Sequence, residues 1–167
     1  LGPQEGAWPL GSNAFPELVA TRHRLGQQPV WVTVTTGLSA QRMPGVEQYV
    51  DRPETASRIE LAIARSVPDQ SGAELLNALA PIPFSRCTWL GEGHTIGGSA
   101  GAYPAFGPEK AAVLLTAGPP PSDVSVPDLS GLTRRGETVS YLWVMVVDEE
   151  TFRIARGRDA HAALAHL

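Results

Sequence analysis

The chain has 167 residues, the size of one domain, and 43% of them are apolar, which is enough to build a core. Its net charge is −4 and its 13 basic residues form no run, so neither nucleic acid nor an anionic membrane surface is an expected partner. The only cysteine is Cys87, which excludes an internal disulfide, and the longest apolar run, 142–147, is too short to cross a bilayer. We therefore expect a cytoplasmic protein.

The first part of the chain predicts an irregular start, then a helix and a strand. Residues 1–12 are rich in Gly and Pro, which favours an irregular segment, so we expect the domain itself to cover residues 13–167. Apolar side chains recur at helical spacing from residue 13 onward, and Gly26 would end this helix. Residues 29–37 alternate between apolar and polar, which predicts a strand with one buried face.

The segment 42–56 is predicted to be a long exposed loop. Its apolar side chains follow neither the helical nor the strand period, and exposed aromatic and Met side chains are common anchors of protein interfaces. We therefore assign partner binding to Met43, Val46, Tyr49 and Val50. The alternative is that Tyr49 and Val50 cover the edge of a sheet, and a second long segment, 119–136, is the other candidate surface.

Residues 57–66 carry the clearest strand pattern of the sequence. The alternation predicts a buried face made by Ile59, Leu61 and Ile63. The opposite face, with Arg58 and Glu60, is expected to be exposed. Because side chains alternate with a period of two, a shift of register by one residue would expose all three aliphatic side chains.

The next elements are a helix, a short strand and a turn. The motif S-x-x-E at Ser71–Glu74 predicts a capping box that begins a helix, and Pro81 would end this helix. Residues 87–90 predict a short strand, in which Cys87 is expected to be a small core residue. Four glycines then follow within residues 91–98 and predict a turn.

The last third of the chain predicts two strands and two helices. Residues 111–118 form one strand, and the strongly apolar 139–147 is expected at the centre of the sheet, buried on both faces. Acidic residues at 148–150 favour a helix that ends at Gly157, and a second short helix is predicted over residues 159–167. The order of elements predicts an α+β fold, with a mixed, largely antiparallel sheet covered by helices in a single domain.

The stretch TWLGEGHTIGG, residues 88–98, does not match a nucleotide-binding loop. Ile96 stands where G-x-G-x-x-G needs its third glycine, and no helix is predicted to follow. The four histidines of the chain lack metal-ligand spacing. We therefore expect no cofactor and no metal, and we assign Gly91, Gly93 and His94 to a structural turn in which the histidine satisfies backbone groups.

A hydrolase is the alternative from another functional class. Ser39 follows a predicted strand, as a nucleophile elbow requires, but Gln41 stands where G-x-S-x-G needs its last glycine. Cys87 and His94 could pair in space as nucleophile and base. In this alternative, Ser39 or Cys87 acts with His94, whereas the turn and core interpretations assign no catalytic residue at all.

The order of the motifs resembles the suppressor-of-fused domain family, of the bacterial single-domain type. The resemblance covers about residue 13 to the end, and six motifs in the same order carry it. They are VTVTTGLSAQRM with its T-x-G-x-S turn, SRIELAIA, AELLNALA, TWLGEGHTI, AAVLLTA and VSYLWVMVVDEETFRIARG, followed by the final HAALAHL.

The resemblance implies a non-enzymatic domain that binds a protein partner. In the family, a partner segment is added as a β-strand, and bacterial relatives are thought to be immunity proteins that neutralise a toxin by binding it. We therefore expect a toxin or another polypeptide as the partner. The remaining alternative is a structural or interaction domain within a longer protein.

Overall fold

The computed structural model describes residues 1–10, 17–26, 29–118 and 129–157. Its strands are β1 (Gln4–Pro9), β2 (Val19–Arg24), β3 (Trp31–Thr36), β4 (Arg58–Arg65), β5 (Thr95–Gly97), β6 (Lys110–Thr116), β7 (Thr133–Arg134) and β8 (Glu137–Asp148). Its α-helices are α1 (Ser71–Leu79), α2 (Ile82–Ser85) and α3 (Glu149–Gly157).

The strands form a sheet in the order β1-β2-β3-β4-β8-β6-β5, and the short β7 pairs with the start of β8. The pairs β1–β2, β2–β3, β3–β4, β5–β6, β6–β8 and β7–β8 are antiparallel. The α+β fold with a largely antiparallel sheet is therefore confirmed, and so is the central position of β8 between β4 and β6.

Two compact units can be distinguished along the chain. The described residues up to 90, together with 129–141, form the first unit. The second unit contains residues 91–118 and 142–157.

The start of the chain differs from the prediction in two places. Residues 4–9, which we expected to be irregular, form the strand β1. The helix predicted from residue 13 to Gly26 is wrong, because residues 19–24 form β2, which pairs with β1 on one side and β3 on the other. Pairing with two neighbouring strands overrides the helical spacing of a few apolar residues. Residues 11–16 lie outside the described part of the chain.

The strands β3 and β4 are buried on both faces, not on one. Residues 32–35 of β3 are all buried, and so are residues 58–63 of β4. The predicted burial of Ile59, Leu61 and Ile63 is confirmed. The predicted exposure of Arg58 and Glu60 is wrong, since each is only 4% exposed. Hydrogen bonds inside the protein, described below, make this burial of two charges possible.

The helix α1 packs against β2, β3 and β4, and the chain leading into it caps it differently from the prediction. Asp69 Oδ1 accepts hydrogen bonds from the hydroxyl of Ser71 at 2.6 Å and from its backbone N–H at 3.1 Å. Ser71 is therefore the first helical residue and not the cap. The helix ends at Leu79, before Pro81, and Pro81 is the N-cap residue of the short helix α2.

The strand predicted over residues 87–90 is absent from the structure. Cys87 lies in a turn after α2 with a positive φ of 48° and is exposed, so its assignment as a core residue is wrong. The helix α2 positions this turn, because the backbone N–H of Thr88 donates to the carbonyl of Pro83 at 2.9 Å.

The second unit agrees closely with its predicted elements. The strand β6 pairs along its length with residues 143–148 of β8, and residues 111–116 and 142–145 are buried. The helix α3 begins at the predicted acidic residues and ends at Gly157. Its residues Phe152, Ile154 and Ala155 pack against a buried cluster, consisting of Ala112, Leu114, Met145 and Val147. The helix predicted over residues 159–167 lies outside the described residues.

Candidate functional site

The buried carboxylate of Glu60, in β4, accepts four hydrogen bonds from the T-x-G-x-S turn. Its Oε2 accepts from the hydroxyl of Thr35 at 2.7 Å. Its Oε1 accepts from the backbone N–H of Gly37 at 3.0 Å, and from the backbone N–H and the hydroxyl of Ser39 at 3.0 and 2.7 Å. All three residues of the motif, which are two positions apart, therefore donate to the carboxylate of Glu60. This shared acceptor is a physical reason for their regular spacing.

The backbone of this turn depends on glycine at position 37. Gly37 has a φ of 106°, in the region that favours glycine. A Cβ atom at this position would lie 2.8 Å from the backbone oxygen of Glu17. Glycine therefore allows the chain to turn after β3, so that the N–H groups of Gly37 and Ser39 both point toward the same carboxylate.

The geometry makes Ser39 part of the turn. The serine is 5% exposed, and its hydroxyl donates to Oε1 of Glu60, which already accepts two backbone N–H groups. A carboxylate oxygen with three donors has little capacity left to remove a proton from the hydroxyl. The arrangement is that of a serine that stabilises a turn.

A second buried charge, the guanidinium of Arg58, holds the other end of the turn. Its NH1 group donates to the backbone carbonyls of Ser39 at 2.8 Å and Ala40 at 3.1 Å. Its Nε donates to Glu137 Oε2 at 2.5 Å, and Arg42 Nε lies 2.9 Å from the other oxygen of the same carboxylate. Removing one partner of such a buried pair is expected to cost about 3–5 kcal/mol.

Burial and the charge of Glu60 both affect the pKa of Tyr141, whose phenol is half-buried in β8. Burial raises the pKa of Tyr141 above its usual value of 10.0, and the negative charge of Glu60 raises it further. The phenol is therefore neutral at physiological pH.

Two of the four predicted partner-binding residues are buried in the core. Met43 is 2% exposed and Val46 is not exposed at all, so their assignment as exposed anchors is wrong. The sulfur of Met43 accepts the backbone N–H of Leu90 at 3.3 Å, and the apolar side chains fix the segment to the rest of the first unit. Tyr49, by contrast, is 63% exposed, and Val50 is half-buried.

The 42–56 segment is a folded surface with short helical turns at residues 46–48 and 53–55. An ion pair of 3.2 Å joins Arg42 to Glu47 within the segment. Gly45 has a positive φ of 79°, and a Cβ there would lie 3.2 Å from the carbonyl oxygen of Cys87. The segment therefore presents Tyr49 from a fixed backbone.

The glycine turn of the second unit is bonded to the strand β6 through its backbone. The N–H of Gly93 donates to the carbonyl of Leu115 at 2.8 Å, and the N–H of Leu115 donates to the carbonyl of His94 at 2.9 Å. Within the turn, the N–H of His94 donates to the carbonyl of Gly91 at 3.2 Å. Gly93 has a positive φ of 80°, which a residue with a side chain would rarely adopt.

Among the residues that the structure describes, no helix is long and apolar enough to span a membrane. The same described ranges contain no group of three or more His, Cys, Asp or Glu side chains placed to hold a metal ion.

Glu60 and Arg58 organise the turn at residues 37–40 of the first unit, and the sequence pattern did not predict this role. Both lie in a strand that alternates cleanly, and the pattern alone assigns charged positions to a solvent-facing side. One signal was present in the T-x-G-x-S motif, whose regularly spaced donors require an acceptor. The sequence does not show which residue supplies it.

Comparison with known proteins identifies the family. The model of the family described as suppressor of fused protein (SUFU) matches residues 17–167, nearly the whole chain. No curated protein sequence matches the chain. The chain therefore belongs to the suppressor of fused family.

Solved structures show the same fold at low sequence identity. A structure of the Sufu–Fu complex has a TM-score of 0.61 and 16% identity, covering 88% of this chain and 67% of that one. Drosophila Suppressor of Fused gives 0.60 and 15%, and the match covers 88% of this chain but only 37% of that protein. A putative SUFU homolog from Neisseria gonorrhoeae gives 0.54 and 14%, covering 94% of this chain and 74% of that chain.

Proposed function

We propose that this member of the suppressor of fused family is a protein-binding domain that contacts a polypeptide partner through Tyr49 and its surroundings. A structurally similar chain was solved as a Sufu–Fu complex, which supports binding of a protein as the activity to test first. The proposal assigns no catalytic residue, since the hydroxyl of Ser39 stabilises a turn.

The exposure of Tyr49 on a fixed segment is the observation that carries this proposal. A rigid aromatic side chain supplies contact area with little loss of side-chain entropy, and such residues are enriched at the energetic centres of interfaces. The neighbouring Glu47, Asp51 and Arg52 are exposed and polar, as in the rim of an interface. Val50, half-buried beside the tyrosine, would contribute to the contact.

The more specific proposal is a bacterial immunity protein, acting in the cytoplasm, that neutralises a toxin by binding it. The resemblance to bacterial single-domain members supports this role, and one similar structure comes from Neisseria gonorrhoeae. Neutralisation by binding requires a stable complementary surface and no reactive group. A fixed aromatic anchor on a folded segment meets that requirement.

The experiment places a photoreactive side chain at the proposed contact. The variant Tyr49→p-benzoylphenylalanine is crosslinked in the source cells, and the captured protein is identified and purified. Val67→p-benzoylphenylalanine is the matched control, because Val67 is 49% exposed and lies in the same unit outside the segment. We expect one protein that crosslinks through position 49 and not through position 67.

Affinity measurements then test the role of the side chain itself. Tyr49→Ala should weaken binding of the purified partner by at least about tenfold, whereas Val67→Ala should change it by less than about twofold. Equal affinity of wild type and Tyr49→Ala would contradict the proposed contact. The segment 119–136 would then become the candidate surface.

Growth measurements separate the immunity role from protein binding in general. If the captured partner arrests growth when it is expressed alone, co-expression of the chain should restore growth, and Tyr49→Ala should restore it less well. A partner without toxic activity would remove the immunity role and leave the protein-binding function standing.

A further inference from the structure

A half-buried row of cationic and aromatic side chains crosses the strands β2, β3 and β4. Arg24 of β2 is paired with Trp31 of β3, which in turn is paired with Arg65 of β4. The guanidinium carbon of Arg24 lies 5.8 Å from the centre of the Trp31 ring. This distance is within the range of a cation–π contact.

A second pair of the same kind lies beside the first. The guanidinium carbon of Arg22 lies 5.2 Å from the centre of the Trp8 ring. Gly6 makes room for this ring, since a Cβ at position 6 would lie 2.6 Å from its edge. We call the surface formed by Trp8, Arg22, Arg24 and Trp31 the Arg–Trp face.

The two arginines of the Arg–Trp face differ in their hydrogen bonding. Arg22 donates from NH1 to the carbonyls of Pro68 at 2.6 Å and Asp69 at 3.1 Å, so it holds the loop that leads into α1. Arg24 makes no hydrogen bond or ion pair with any residue in the described part of the chain, and its Nε is buried without an acceptor. Stacking alone therefore holds the guanidinium of Arg24, and its terminal N–H donors have no partner among these residues.

The nearby carboxylates have other partners. Glu5, the extra residue of a β-bulge in β1, accepts the indole N–H of Trp31 at 2.6 Å. Asp69 pairs with Arg65 at 2.9 Å and also binds Ser71. Among the described residues, therefore, no carboxylate forms an ion pair with Arg24.

We propose that the Arg–Trp face binds an acidic segment of a partner polypeptide, and that Arg24 binds a carboxylate of that segment. A guanidinium pairs with a carboxylate through two parallel N–H donors, and stacking on an indole holds it ready for this pairing. Arg22 and Arg24 are two residues apart on one strand, about 6.6 Å, which matches the spacing of alternate side chains on an extended segment. The net charge of −4 and the absence of a run of basic residues in the sequence disfavour a polyphosphate chain, which carries a charge at every unit.

This surface is independent of the contact proposed for Tyr49, and a peptide probe tests it separately. The probe is a blocked decapeptide of alternating Glu and Ser, titrated at low salt with binding followed by calorimetry. A ten-residue oligothymidylate is the nucleic-acid comparison. The variant is Arg24→Gln, and Arg86→Gln is the matched control, because Arg86 is exposed in the same unit and loses the same charge.

We expect the peptide to bind the wild type and Arg86→Gln alike and to bind Arg24→Gln about tenfold more weakly. Arg24→Lys should recover only part of the affinity, since it keeps the charge and loses the two-pronged geometry. Circular dichroism must first show that each variant is folded. Three results would overturn the proposal: no binding at millimolar peptide, equal weakening by the two Gln variants, or tighter binding of the oligonucleotide with the same dependence on Arg24.

Discussion

The largest effect on stability is expected at Glu60, whose side chain is 4% exposed and accepts four hydrogen bonds. Truncation by Glu60→Ala leaves three donors of the turn without their acceptor, since only the hydroxyl of Thr35 has another acceptor, the carbonyl of Leu61 at 3.4 Å. Two of these donors are the backbone N–H groups of Gly37 and Ser39, which cannot turn away without unfolding the turn. The variant therefore tests the network at its centre.

The magnitude follows from the contacts that are lost. Each buried donor left unpaired costs about 1–3 kcal/mol, so three donors give at least about 3 kcal/mol. Glu60→Gln should cost much less, about 1–2 kcal/mol, because its carbonyl oxygen can replace Oε1 and keep three donors. Its amide N–H₂ would then donate to the hydroxyl of Thr35, whose proton can turn to the carbonyl of Leu61, 3.4 Å away.

Urea unfolding followed by tryptophan fluorescence measures these free energies. Glu54→Ala is the control, since Glu54 is exposed and its loss should change the free energy of unfolding by less than about 0.5 kcal/mol. If Glu60→Ala and Glu54→Ala were equally stable, the buried carboxylate would not hold the turn. Equal losses for Glu60→Ala and Glu60→Gln would show that the charge matters and the hydrogen-bond geometry does not.

Three further predictions concern packing, backbone and pH. Leu61→Ala should lower the free energy of unfolding by about 2–5 kcal/mol in the same urea assay, because Leu61 is fully buried, and a loss below about 0.5 kcal/mol would contradict its place in the core. Gly98→Ala should lower the melting temperature, since Gly98 has a φ of 135° and a Cβ would lie 2.6 Å from the ring of Phe152; an unchanged temperature would contradict this close contact. The hydrogen bond from the backbone N–H of Thr151 lowers the pKa of Asp148. The ionised carboxylate therefore stabilises the fold at pH values above the unfolded pKa of about 4, and this stabilisation is lost as the pH falls through the lowered pKa of the folded state. The stability difference between the wild type and Asp148→Asn should therefore shrink below about pH 4, and a difference independent of pH would contradict it.

The elements with uniform apolar composition were predictable from the sequence. The run at 139–147 indicated a central strand, and β8 occupies that place because it is covered on both faces. The acidic start and the glycine end of α3 were also readable, since both act locally at the ends of a helix. Such signals depend on near neighbours in the sequence, and the fold does not override them here.

The failures occur where long-range pairing decides the structure. The apolar spacing from residue 13 onward fits a helix, but pairing with β1 and β3 makes residues 19–24 a strand. Met43 and Val46 lack any period, and they are nevertheless buried because the segment 42–56 folds back on the first unit. Periodicity reports the regular exposure of one face, so it does not detect single anchors in an irregular segment.

The buried charges explain why the surface of the first unit can be specific. Arg58 and Glu60 occupy alternate positions of β4 that apolar side chains could also fill. A buried ion pair such as Arg58–Glu137 adds little to stability by itself. Their hydrogen bonds nevertheless fix both ends of the turn at residues 37–40, and Glu137 links Arg58 to Arg42, at the start of the segment 42–56.

Removal of the charge of Arg58 should therefore loosen the backbone of the segment 42–56, which carries Tyr49, although the two side chains are not paired. Arg58→Met, which keeps the length of the side chain, is expected to increase hydrogen exchange of the amides at 45–50 more than it does in the second unit. Equal exchange in both units would show that the ion pairs do not order this surface.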